Sequence, residues 1–389
     1  MRRVSSAPQQ EGIARMAFTF GIEEEFFVVH ERTLLVEPQA HERFIARANE
    51  LAGGGIFPEL LQCQIEAATP VCHSFQEARG HLRRLRSGLA SAGNEFGLSV
   101  LASGTHPTAE WPEQQQTQKE RYDQVVDELQ LLAFRNLVCG LHVHVGLDDD
   151  ETRIDVMRRS IPFLPILLAL SCSSPFWRGM DSGFHSYRLT SYEELPRTGL
   201  PPLLSSWSEY EAYTEVLKRA GIIANPSYIW WAIRPSHKFP TLELRIADAC
   251  TRLDDSLTIA ALFQALVRLL VMDRTINAGL TSAERALAKE NKWRAQRYGL
   301  AADLVDPLGD RASVPAPDAA RRLVDLLRPH ASTLGTADEL DGVERIIAGG
   351  TSADRQMSIY REALDRGLSR PNALAHVKAW IQEETVAGC

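Results

Sequence analysis

Carboxylates, imidazoles and a guanidinium recur at two-residue spacing in separated segments of this 389-residue chain. Glu23 and Glu25 stand two apart in FGIEEEFFVV (20–29), His142 and His144 in CGLHVHVG (139–146), and Glu243 and Arg245 in TLELRIAD (241–248). The segment ELLQCQIEAAT (59–69) adds Glu66, with Glu59 entering just ahead of it at the odd parity of a turn or bulge. Several acids gathered at one place repel one another, which raises their pKa values unless cations compensate. Hard divalent ions are the natural remedy: Mg²⁺ takes carboxylate oxygens at about 2.1 Å, keeps several waters and is commonly completed by substrate phosphates. The excess of carboxylate over imidazole favours Mg²⁺ or Mn²⁺ above zinc, and five acids with one histidine suffice for two or more ions.

Such chemistry requires that the groups share a surface, and strand geometry supplies one. Side chains alternate across a strand, so Glu23, Glu25 and Phe27 face one way while Ile22, Glu24 and Phe26 face the other, which leaves Glu24 out of the site. Leu141, Val143 and Val145 likewise oppose the two histidines, and Leu242, Leu244 and Ile246 oppose Glu243 and Arg245. Leu61, Cys63 and Ile65 alternate with Gln62, Gln64 and Glu66. A solvated edge explains any one of these strands by itself, but four strands repeating the same split point to an antiparallel sheet with one face open. Helices on the other face would make the polar side a single concave surface.

Segments rich in β-formers are predicted at 18–29, 60–69, 98–103, 138–147 and 240–248, with helices over 75–96, 118–134, 152–172, 208–220 and 256–277. Asp254 or Asp255 is placed to cap the last of these. Beyond Thr281 the pattern reads as helices only, as the tail of a single catalytic domain spanning 17–389, and residues 1–16 read as a flexible leader. The proline- and glycine-rich stretch 173–207 is long enough to be a binding loop or lid, or a plain surface excursion.

Bulk properties narrow the partners. A formal charge of −8 and a pI near 5.8 provide no basic stripe for nucleic acid or an anionic membrane. The apolar run 256–272 is interrupted by Gln264 and Arg268 and reads as a buried helix, with no membrane span expected. Six cysteines without paired C-x-x-C spacing suggest reduced thiols in a cytoplasmic protein. Neither a P-loop nor a G-x-G-x-x-G fingerprint occurs, and the His-x-His pair runs on into GLDDDE rather than into the continuation a cupin needs.

Taken together, GIEEEF (21–26), QIEAAT (64–69), GTHP (104–107), ERY (120–122), CGLHVHVG (139–146) and IRPSHKFPTLELRIAD (233–248) resemble the carboxylate-amine ligases of glutamate–cysteine ligase type 2. The resemblance implies an α+β fold with an open, mainly antiparallel sheet of glutamine-synthetase-like type, helices on one face and the active site on the other. It also implies ATP and two or three Mg²⁺ ions. Glu23 with Glu25, Glu59 with Glu66, and His142 with Glu243 look like the metal ligands, and Arg245 like the arginine that meets the transferred phosphoryl group. One departure is Ala232, where relatives are expected to carry an acid before the Ile-Arg-Pro triplet. The implied reaction is ATP-dependent amide formation through an acyl phosphate, glutamate and cysteine being the default acid and amine. Arg188, Arg234 and His144 are candidates for holding substrate. A metal-dependent amide hydrolase is the alternative, an idle binding protein a more distant one, and a homodimer the commonest assembly.

Overall fold

The alternation in FGIEEEFFVVH produces an eleven-residue strand, β1 (Phe20–His30), whose Ile22, Phe26 and Val28 are completely buried. The computed structural model describes residues 18–30 and 38–389, so the expected leader lies outside the described residues. After β1 come β2 (Ile56–Pro58), β3 (Gln64–Ala68), β4 (Leu98–Leu101) and β5 (Gly140–Gly146). Two two-residue strands, β6 (Phe176–Trp177) and β7 (Met180–Asp181), pair apart, followed by β8 (Ile233–Pro235) and β9 (Thr241–Asp248). Seven strands form one open sheet in the order β2-β3-β1-β5-β9-β8, with β4 on the second half of β1, and every pairing in it is antiparallel. The sheet class expected from the sequence is therefore the one observed.

One face is covered by helices. Phe75–Phe96 begins where Ser74 accepts a hydrogen bond from the Glu77 amide at 3.2 Å and stops at Gly97, whose φ of 66° is left-handed. Its stripe of Phe75, Ala78, Leu82, Leu85 and Leu89 is buried. The same helix sends Arg86 to the sheet, where Nε and Nη2 donate to the two oxygens of Glu24 at 2.9 and 2.6 Å. The remaining guanidinium hydrogens meet the carbonyls of Cys250, Thr251 and Thr385. Glu24 is thus on the helix face, as strand parity requires. The helix Leu253–Met272 is long and apolar enough to cross a membrane, yet 89% of that window is buried inside the protein, where it serves as the central core helix.

Four expectations need correction. The helix expected over 118–134 is divided into Glu120–Leu129 and Leu131–Arg135 by Gln130, whose φ of 49° breaks the spiral. That over 152–172 is interrupted by a 3₁₀ turn at Ile161–Phe163, because Pro162 and Pro165 lack amide hydrogens. Asp254 and Asp255 cap nothing: the core helix begins before them, so they fall within its first turn and pair with Arg79 and Arg345. The tail is not purely helical, since β10 (Asp303–Val305) and β11 (Ser313–Pro315) form a hairpin too short to leave a periodic signal.

Candidate active site

Register converts four strands into a row of facing groups. Glu25 of β1 lies across from Glu66 of β3, Glu23 of β1 across from His142 of β5, and His144 of β5 across from Glu243 of β9. Three sets of donor atoms result, each within 4.8 Å of one another: Glu25, Glu59 and Glu66; Glu23, Glu66 and His142; Glu23, His144 and Glu243. Glu59 reaches the first set from the β2–β3 turn, where its amide donates to the Gln64 carbonyl at 3.3 Å. That turn shortens the strand expected from residue 60, so Gln62 faces away and donates to the Gln116 carbonyl.

The electrostatics are those of acids held too close. Burial, then the charges of Glu23, Glu59 and Glu25, push the Glu66 carboxyl well above its usual range. Burial and the charge of Glu25 raise Glu59 to about 7. Glu23 is also pushed up by burial, but the imidazoles of His142 and His144 outweigh this and hold it below the ordinary value. At Glu243 burial is overcome by Arg234 and Arg245, which keep the carboxyl ionised. Burial and the charge of Arg245 depress His142, whereas at His144 the acids Glu243 and Glu23 prevail over burial and raise it.

Three arginines complete the enclosure. Arg245 donates to Glu243 and, at 3.2 Å, to the Tyr192 hydroxyl, while its own amide donates to the Ala232 carbonyl. Arg234 grips both oxygens of Glu243 at 2.8 and 3.1 Å and places Nη1 on the Ile229 and Ser227 carbonyls. Among the described residues Arg188 donates one side-chain hydrogen bond, to the Arg245 carbonyl at 3.2 Å, and its buried Nε has no partner. All ten residues singled out from the sequence line one cavity of about 1630 Å³. The 173–207 stretch helps to build it, through Arg188, Tyr192 and Leu195.

Other lining groups were not singled out as site residues. Tyr192 stands one helical turn after Arg188, a spacing that could have flagged it. Arg121 and Tyr122 lie within the ERY motif, and Gln64 shares the parity of Glu66, whereas Asn225, Tyr228 and Trp230 carry no periodic signal.

The donor set suits hard cations. Two of its acids, Glu59 and Glu66, are costly to ionise without added positive charge. Among the described residues the buried Nε2 of His142 has no hydrogen-bond partner, and that of His144 faces the Glu23 carboxylate at 3.3 Å.

The model for glutamate–cysteine ligase family 2 matches residues 19–373. A provisionally named glutamate–cysteine ligase 2 of Rhodospirillum rubrum is 46% identical over 375 residues, covering 95% of this chain and 96% of that protein. Among solved structures, the glutamate–cysteine ligase of Francisella tularensis in complex with AMP superposes with a TM-score of 0.69 at 14% identity, over 96% of this chain and 90% of that one. A bifunctional glutathione synthetase from Pasteurella multocida gives 0.65 at 13% identity, over 97% of this chain and 54% of that one. These likenesses leave no ground for the hydrolase alternative. The chain belongs to glutamate–cysteine ligase family 2 and is an ATP-dependent ligase that forms amides.

Proposed function

We propose that this enzyme joins glutamate to the amine of cysteine, using ATP and Mg²⁺ bound on the open face of the sheet. The observation that carries this reading is the row of three cross-strand pairs, Glu66–Glu25, Glu23–His142 and His144–Glu243, which gives three adjacent donor sets. Glu23, Glu25, Glu59, Glu66, His142 and Glu243 would hold Mg²⁺, with Mn²⁺ as a substitute, and His144 belongs by position to the third set. When bound, such ions neutralise phosphate oxygens and help to align the nucleotide for transfer.

The protein's own part is positioning and charge. A substrate carboxylate attacks the γ-phosphorus and ADP leaves; the amine then displaces phosphate from the acyl phosphate. Arg245, held by Glu243 and Tyr192, supplies a fixed cation for the charge that spreads over the transferred group. Arg234 spends four of its five N–H donors on Glu243 and two carbonyls, so we assign it the orientation of that acid rather than substrate gripping. Arg188 retains unused donors and suits the carboxylate of the acid substrate. Five buried free cysteines and the need for ATP support a cytoplasmic setting.

The test is a matrix of carboxylic acids and amines incubated with ATP and Mg²⁺, with products read by mass spectrometry. ADP release that demands both glutamate and cysteine is expected, and a different productive pair would replace the substrates while keeping the ligase. Arg245→Ala should lower turnover about 10²–10³-fold. Undiminished ATP consumption by that variant would remove Arg245 from the transfer step.

A further inference from the structure

Of Arg188, Arg234 and Arg245, Arg188 makes the fewest side-chain hydrogen bonds among the described residues, and the means by which it is held are visible at both of its ends. Its main chain is tied to β9: the Arg188 amide donates to Ser174 Oγ at 3.0 Å, and Ser174 Oγ in turn donates to Asp248 Oδ2 at 2.7 Å. Asp248 also accepts from the Ser173 amide at 3.0 Å and from Ser186 Oγ at 2.8 Å, so one buried carboxylate pins both sides of the loop that delivers Arg188. Directly opposite Asp248 in the β5–β9 pair stands Gly140.

The guanidinium end depends on that glycine. A β-carbon built on Gly140 would collide with Arg188 Nη2 and lie 2.7 Å from Cζ and 3.1 Å from Nε. The guanidinium therefore occupies the space where any other residue would carry its side chain. On another side it approaches the Tyr192 ring, with Cζ 5.4 Å from the centroid. Gly140 also donates its amide to Glu25, which fixes the backbone of the slot to the metal-ligand row.

We propose that Gly140 is a positioning residue: its missing side chain forms the slot that orients Arg188 towards the carboxylate of the acid substrate. This rests on the ligase reading and on the role assigned to Arg188. The collision would be with the planar head of an arginine whose freedom to move aside is limited by its hydrogen bond to the Arg245 carbonyl and by the Tyr192 ring. Alanine at 140 would have to displace the guanidinium, and the displacement would be felt by the acid more than by ATP.

The experiment is a double-mutant cycle on the full chain, read as ADP release with ATP, Mg²⁺, L-glutamate and L-cysteine. G140A should raise the KM for glutamate by about tenfold or more while the KM for ATP changes by less than about twofold. In an R188K background, where no planar head fills the slot, adding G140A should cost less than about twofold. A merely structural glycine would lose as much in either background, and that result, or an unchanged KM for glutamate in G140A, overturns the proposal. If G140A does not accumulate folded, G140A/R188K must do so, and failure of both has the same meaning. Should the wild-type enzyme ignore glutamate and cysteine, the substrate assignment fails. The slot is then judged by a crystal structure of G140A, with a displaced guanidinium expected and an unmoved one decisive against it.

Discussion

Glu25 of β1 and Glu66 of β3 stand directly opposite each other, so one cross-strand pair on the cavity floor consists of two acids. Like charges in this position destabilise a sheet, and burial makes the Glu66 carboxyl still harder to ionise. Glu66→Gln should therefore make the protein more stable by roughly 0.5–1 kcal/mol in the absence of divalent ions. The same change should shrink the rise in melting temperature that Mg²⁺ produces and lower turnover by about 10²-fold or more. Thermal unfolding with EDTA or Mg²⁺ measures both effects. A variant less stable than wild type in EDTA would mean that the acids do not repel as their placement demands.

The Glu24–Arg86 pair lies on the opposite face from the cavity and both side chains are buried. Removing one member of such a pair strands the other's charge, at a cost of about 3–5 kcal/mol. Arg86→Leu should lower the unfolding free energy from urea titration by that amount, and adding Glu24→Gln should recover part of the loss. Activity per folded molecule should stay near wild type. A loss of activity without a loss of stability would contradict the separation of the two faces.

His106 predicts a pH dependence of stability. Its buried Nδ1 accepts hydrogen bonds from the amides of Thr108 and Ala109 at 3.2 and 2.9 Å, so protonating it would replace an acceptor with a donor. Burial, aided by the charge of Lys378, depresses the group from 6.5 to about 3. A depressed pKa means that the unfolded chain takes up the proton first, so stability is full above pH 6.5 and is lost as pH falls towards 3. The slope should approach about 1.4 kcal/mol per pH unit for this one proton. Urea titrations at pH 7 and pH 5 should show it, and His106→Asn, which keeps an acceptor but cannot titrate, should flatten the difference. An equal slope in both proteins would exclude His106 as the source.

Much of the site was legible because strand parity is a local rule. Glu23 and Glu25, His142 and His144, and Glu243 and Arg245 face together whatever the rest of the chain does, and the helix-side burial of Glu24 comes from the same rule. Register is not local. That Glu25 meets Glu66, or that Arg234 falls opposite Glu243 and becomes its clamp, depends on turn geometry and long-range pairing that periodicity does not encode. Tyr192 enters through a loop whose path is set by Asp248, three polar partners and a glycine far away in sequence. The break at Ile161–Phe163 was within reach, since Pro162 and Pro165 announce it, but the continuous apolar run around them masked it.

The hydrogen bonds of Arg86 have a temporal side. One of its acceptors, the Thr385 carbonyl, lies 299 residues further along the chain, and the Thr385 hydroxyl also receives the Ala102 amide beside β4. At typical synthesis rates of about 5–20 residues per second, the ribosome needs tens of seconds to cover that distance. Throughout that interval the Arg86 guanidinium lacks the acceptor that the helix Arg370–Val386 supplies.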